Sequence, residues 1–172
     1  MSSPETHHAR LVALRAELAK QNLDGFGIPI VDEYMSEYVG DYAQRMPWLT
    51  GFGGSAGSAV VLTGKSGDKA AVFVDGRYTL QVQQQVSGAD YEYVGVPQSS
   101  PAKWLLDNAV AGSRIGYDGW LHTIDWVNAT RAALAAKGVE LVAVENNPVD
   151  AAWTDQPQPS LAAATPHADE YS

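Results

Sequence analysis

Leu11, Leu14 and Leu18 recur at i, i+3 and i+7, which lays one apolar stripe along a helix. Ser3 or Thr6 is placed to cap it, and the stripe runs to about Asn22 before Asp24-Gly25 breaks it. The period then changes. Phe26-Gly27-Ile28-Pro29-Ile30-Val31 is short and apolar, and predicts a first strand with Pro29 near its end or at an edge. Asp32 to Tyr42 is rich in acids and tyrosines with weak helical spacing, and Met46-Pro47-Trp48-Leu49 reads as a segment entering a glycine-rich turn. Ala59–Thr63 and Ala70–Val74 are two β-type runs separated by turn chemistry, Gly64 to Lys69, and predict an antiparallel hairpin. Helical spacing resumes over Thr79–Val86. Beyond it the pattern predicts a strand over Tyr91–Val96, a helix over Pro101–Val110 and a strand over Ser113–Tyr117. Last come a helix from Thr123 or Ile124 to Lys137, closed by Gly138, and a strand over Val139–Val144. From Asn146 the chain reads as loop, and Pro157, Pro159 and Pro166 with an alanine run give a linker-like tail.

Strands alternate with helices except at the hairpin. The expected fold is therefore α/β, a mixed and mostly parallel sheet with one antiparallel hairpin and helices covering it. The tail ends in Asp169-Glu170-Tyr171-Ser172 without a packed element, which suggests a longer chain cut at a linker.

Composition narrows the function. Against 11 Lys+Arg stand 20 Asp+Glu, a formal charge of −9 over 172 residues. Such a surface repels phosphate backbones and anionic headgroups, so no nucleic-acid or membrane partner is expected. Hydrophobic residues at 45% suffice for a core and argue against disorder of the whole chain. No cysteine is present, which removes disulfides, thiolate metal sites and a cysteine nucleophile and fits a reducing compartment. Neither a signal-like N-terminus nor an apolar run of about 18 residues is found, so the chain reads as soluble and cytoplasmic.

The densest candidate chemistry lies in Gly51-Phe52-Gly53-Gly54-Ser55-Ala56-Gly57. Gly51-x-Gly53-x-x-Ala56 matches a dinucleotide fingerprint, yet a β-branched run follows where that chemistry needs a helix. Gly53-x-Ser55-x-Gly57 matches a nucleophile elbow, with Asp118 and His122 in the order of a hydrolase triad. Ser55 is again followed by strand, and the chain is short for that fold. Ala59 to Ser66 ends like a phosphate loop but is strand inside. Asp118, His122 and Asp125 share helical spacing, but Gly119-Trp120 interrupts it, so solvated or capping roles are expected and no metal is assigned. The five tryptophans should mostly pack in the core or between domains, with one or two at an interface. In Asp75-Gly76-Arg77-Tyr78 a strand end places Arg77 at a sheet edge. There its guanidinium offers paired donors to a carboxylate or carbonyl, or forms a surface ion pair.

Several blocks agree in order and spacing. Trp48-Leu49-Thr50-Gly51-Phe52 with Gly54-Ser55-Ala56-Gly57, Val74-Asp75-Gly76-Arg77-Tyr78 with Leu80-Gln81, Ile115-Gly116-Tyr117-Asp118, and Asn147-Pro148-Val149-Asp150 with Trp153-Thr154-Asp155 resemble the N-terminal domain of aminopeptidase P. They span about residues 10 to 160, and the likeness is to the larger, three-domain Xaa-Pro aminopeptidases, whose first domain has the creatinase N-terminal fold. The resemblance implies a domain over 1–155 and a linker over 156–172 towards an absent following domain. In that family a C-terminal domain holds two divalent metal ions, manganese or zinc, and cleaves the bond between a first residue and a following proline. This chain would then carry no catalytic residue and no metal, and would be inactive alone within an active parent. Motif match carries a substrate-binding role to Arg77, and an acidic-tyrosine stretch is matched by Ser36-Glu37-Tyr38. Tyr34 stands where the family usually has histidine. The implied partners are peptides with proline in second position and, through contacts of the first domain, a second copy in a homodimer. A stand-alone peptide-binding or dimerisation module and a small serine hydrolase using Ser55 remain as alternatives.

Overall fold

The computed structural model describes residues 4–29, 44–54, 57–96 and 98–157. Helix α1, Pro4–Lys20, turns Leu11, Leu14 and Leu18 inward, all at most 1% exposed. Strand β1, Gly25–Pro29, follows and ends at the proline. Helix α2 is Arg45–Thr50, β2 Ser58–Leu62 and β3 Lys69–Val74. A single 3-10 turn over Gly76–Tyr78 leads into α3, Thr79–Gln85, and then β4, Glu92–Gly95. The remainder is α4 Pro101–Asn108, β5 Arg114–Tyr117, α5 Ile124–Ala135, β6 Glu140–Ala143 and α6 Pro148–Ala152.

The six strands form one sheet in the order β4-β3-β2-β1-β5-β6. The predicted β2–β3 hairpin is antiparallel, with Val60 opposite Ala71. Strand β2 also runs antiparallel to β1, while β3–β4, β1–β5 and β5–β6 are parallel. Strand β2 is thus the single reversed strand in a sheet otherwise of one direction, and the α/β architecture read from the sequence holds.

Both faces of the sheet are covered, which is why β2 and β3 read as unbroken apolar runs. Along β2, Ala59 and Val61 enter one core with Leu14 of α1, Leu49 of α2, Val82 of α3 and Val149 of α6. Val60 and Leu62 enter the other, with Trp104 and Leu105 of α4 and Leu134 of α5. Burial at ~25 cal/mol per Å2 of apolar surface on two faces is the main force holding the layers.

Two elements differ from the sequence reading. Residues 45–50 are a helix rather than a run into a turn, closed by Gly51 at φ 89°, whose N–H donates to Pro47 O. The chain after Asn146 is not only loop. Asn147 caps α6 by accepting from Val149 N, and Pro148 occupies its first turn. Arg45 of α2 donates through Nε and Nη2 to the Asp150 carboxylate of α6 at 2.7 and 2.9 Å, tying the two short helices together. Trp48 and Trp153 stack beside this pair, ring centroids 5.2 Å apart. The linker expected over 156–172 lies outside the described residues from 158 onward.

Candidate functional site

Because five strands share one direction, the carboxyl ends of β1, β3, β4, β5 and β6 lie along one end of the sheet. In open α/β sheets this end is where loops build ligand sites. The turn after β3 carries Asp75 and Arg77, the segment after β5 carries Asp118 to Thr123, and the turn after β6 carries Asn147.

Asp75 caps its own turn, its Oδ1 accepting from Arg77 N at 2.9 Å. The same carboxylate receives the guanidinium, Nε at 3.2 Å and Nη2 at 2.8 Å. The hydrogen bonds from Arg77 side chain and backbone hold the Asp75 carboxyl below its usual range, and Asp75 raises the guanidinium pKa in return. Arg77 is nonetheless 73% exposed, with its Cζ 5.3 Å from the centre of the Tyr78 ring. It stands at the end of β3, accessible and not in a buried pair. Tyr78 in turn meets Phe52 edge to face at 5.6 Å, which anchors the turn to the core. The sequence singled out Arg77 but not its partner, although an aspartate two residues ahead of it at a strand end is an Asx-turn signal.

The other candidates separate. Gly51 closes α2, and Gly53 N donates to the Gln85 side chain at 2.8 Å, so neither amide is poised for a pyrophosphate. Ser55 lies outside the described residues, as do Tyr34, Ser36, Glu37, Tyr38 and His167. Around Ser55 the order is helix α2, then strand β2, the reverse of the strand-turn-helix of an elbow. The Lys65 amide of the phosphate-loop-like segment is already taken by the Asp24 carboxylate at 3.0 Å.

Asp118 caps as expected, accepting from Trp120 N and from the Asn147 amide, both at 3.0 Å. His122 is a correction to its expected solvated or capping role. Its ring stacks on Trp126 at 3.9 Å and 14°, and its Nε2 is buried without a hydrogen-bond partner among the described residues. Burial lowers its pKa to about 4, with Asp118 pulling the other way. No hydrogen bond joins Asp118 to His122, so no triad assembles among the described residues. Nor does any group of three or more His, Asp or Glu stand ready for a metal there, and the residues present do not fit the two ions implied by resemblance. Trp120 is 76% exposed and belongs to no core; Trp104 is buried and meets Phe73 edge to face.

The family model of the creatinase/prolidase N-terminal domain matches residues 10–151. The chain belongs to the creatinase/prolidase N-terminal domain family. This creatinase/prolidase N-terminal domain is 38% identical over 149 residues to human Xaa-Pro aminopeptidase 2, covering 87% of the chain and 22% of that protein. It is 34% identical over 155 residues to Xaa-Pro aminopeptidase app-1 of Caenorhabditis elegans, covering 88% of the chain and 24% of the relative. The domain thus spans between a fifth and a quarter of the length of these relatives. Among solved structures it superposes on the X-prolyl aminopeptidase from Caenorhabditis elegans, described as a cytosolic enzyme with a di-nuclear active site. That match has a TM-score of 0.79 and 32% identity, covering 90% of this chain and 26% of the other. The N-terminal domain of the cytoplasmic peptidase PepQ from Mycobacterium tuberculosis matches with a TM-score of 0.63 and 27% identity, over 84% of this chain and 98% of that one. No helix among the described residues is long and apolar enough to cross a membrane.

Proposed function

We propose that this domain is the substrate-side domain of a Xaa-Pro aminopeptidase, a cytoplasmic metallopeptidase that releases an N-terminal residue preceding proline. Residues 1–155 form the domain and 156–172 a connection to a catalytic domain holding two divalent ions, manganese or zinc. The chain alone is inactive. Its own contribution is Arg77, which reaches a peptide with proline in second position. The domain also helps assemble a homodimer, for which the exposed Trp120 is the natural anchor. The observation that supports the reading is a guanidinium 73% exposed at the carboxyl end of β3, oriented by Asp75, in a chain related to Xaa-Pro aminopeptidases.

The test is kinetic. In an enzyme carrying this domain joined to its catalytic domain, Arg77→Ala should lower kcat/KM for Xaa-Pro peptides by about tenfold or more, the equivalent of ~1.4 kcal/mol in transition-state binding. The melting temperature should stay nearly unchanged, because an exposed pair contributes little to folding. Full activity in the variant, or its unfolding, makes Arg77 structural and removes the reading. The Ser55 hydrolase is disfavoured by the order of α2 and β2, and labelling of Ser55 by a fluorophosphonate would revive it.

A further inference from the structure

A cavity of about 520 Å3 opens beside Arg77, between its turn, α3 and the end of β4. Val74, Val82, Val94 and Val96 give its lining aliphatic surface, and Gln83 and Gln98 also line it. Concave apolar volumes of this size with a few converging polar groups are the usual form of small-ligand sites.

The polar side is set by how Arg77 is held. A guanidinium has five N–H donors in a rigid plane. Asp75 takes the side-on edge, through Nε and one Nη2 hydrogen. The end-on edge, Nη1 with the second Nη2 hydrogen, has no acceptor among the described residues. That edge presents two parallel donors, the arrangement that fits a second carboxylate bidentately. Asp75 cannot serve as that second acceptor without giving up the cap of its own turn. A donor fork on a residue that lines the same cavity as four valines therefore asks for a ligand with a carboxylate at one end and an aliphatic group beside it.

We propose that this cavity is a binding subsite for the carboxyl end of a short peptide, with the terminal carboxylate on the end-on edge of Arg77 and an aliphatic last side chain against the valine lining. Asp75 is a positioning residue in this subsite, acting through Arg77. The inference rests on the substrate-side role of Arg77 and adds the chemistry of the group it receives.

The experiment uses the 172-residue chain, labelled for amide and valine-methyl resonances. It is titrated with Gly-Pro-Leu as free acid and as carboxamide. The free acid should bind weakly but saturably and shift Gly76, Arg77, Val94, Gly95 and Val96, and the carboxamide should bind at least tenfold more weakly. Arg77→Ala should erase the difference between acid and amide, and Asp75→Asn should shrink it while the fold is retained. Gly95→Leu tests the lining, because a Cβ there meets only the Gln98 side-chain oxygen, at 3.5 Å, and has open space beyond. It should weaken Gly-Pro-Leu more than Gly-Pro-Gly. Equal binding of acid and amide, or shifts elsewhere on the surface, overturns the inference. If that happens while Arg77→Ala still lowers kcat/KM in the longer enzyme, the subsite is wrong and the proposed function stands. If the acid is preferred but kcat/KM is untouched, the carboxylate site exists and the proposed function fails.

Discussion

His122 shows how one residue's surroundings set its chemistry. Thr123 caps α5 by accepting from Trp126 N, so the residue before the cap folds back on the first helical turn and its ring lands on Trp126. The ring is then half-buried, with Nε2 buried and without a hydrogen-bond partner among the described residues, and burial lowers its pKa to about 4. His7, in α1, is also lowered, first by burial and then by Arg10. The sign follows from proton counting. Unfolded histidines take up a proton near pH 6.5, whereas folded His122 takes one only near 4. Between those values the unfolded state binds more protons, so stability is full above about pH 6.5 and falls as the pH drops towards 4. With allowance for screening at the ring's exposed edge, His122 should account for roughly 2 kcal/mol of that loss. Urea unfolding at pH 7, 6, 5 and 4.5 checks this against His122→Phe, which keeps a ring on Trp126 but cannot titrate. The variant should lose a clear part of the acid slope. An unchanged slope would mean that His122 titrates as an ordinary exposed histidine.

At the scale of elements, two glycines with the same backbone sign should behave differently. Gly138 closes the turn after α5 at φ 78°, and a Cβ there would sit 3.6 Å from Ala111, an ordinary contact. Gly138→Ala carries only the left-handed penalty, about 1–2 kcal/mol. Gly51 closes α2 at φ 89°, and its Cβ would lie 2.7 Å from the Gln85 carbonyl and 2.8 Å from the His7 ring. The ring can shift but the carbonyl belongs to backbone, so Gly51→Ala should cost about 3 kcal/mol or more. Denaturant midpoints test the ordering, and equal costs would mean that the α2–α3 approach gives way easily. Gly138 was legible as a helix stop because a long amphipathic run precedes it. Gly51 was not, because α2 has six residues and α6 five, too few for a period to emerge. Their signals were local: Met46 and Leu49 one turn apart, and Asn147-Pro148 as cap and first-turn proline. The pairing of β2 with β1 depends on chain topology, which hydrophobic pattern does not encode. The candidate site divides the same way. Arg77 could be placed from its strand end, and Asp75's hold on it carried a local Asx-turn signal, whereas the valine lining beside it needed β4 brought alongside β3.

For the whole molecule, the acidic balance and the placement of the acids make opposite demands on cations. A formal charge of −9 gathers divalent ions loosely around the surface. A bound ion needs several ligands converging, and among the described residues no such group forms and Asp24, Asp118 and Asp150 are engaged separately. Asp24 accepts from Lys65 N and Arg114 N, Asp118 from Trp120 N and Asn147, and Asp150 from Arg45 and Gln156. Pulling any one of them to a metal strips a cap or a buried guanidinium of its partner, a loss of ~1–3 kcal/mol for each group left unpaired. His122 Nε2 is buried, and no group of three or more ligands forms around it among the described residues. Calorimetric titration of the 172-residue chain with Mn2+ or Zn2+ should therefore give weak, non-stoichiometric heats at low ionic strength. Those heats should disappear near 0.15 M salt, where surface charges are screened beyond about 8 Å. The same chain should not hydrolyse Xaa-Pro peptides with either ion present. Stoichiometric micromolar binding that survives the salt, and is lost in His122→Phe, would place a metal centre within this domain and shift the expected chemistry from a partner domain to the sheet end that carries Arg77.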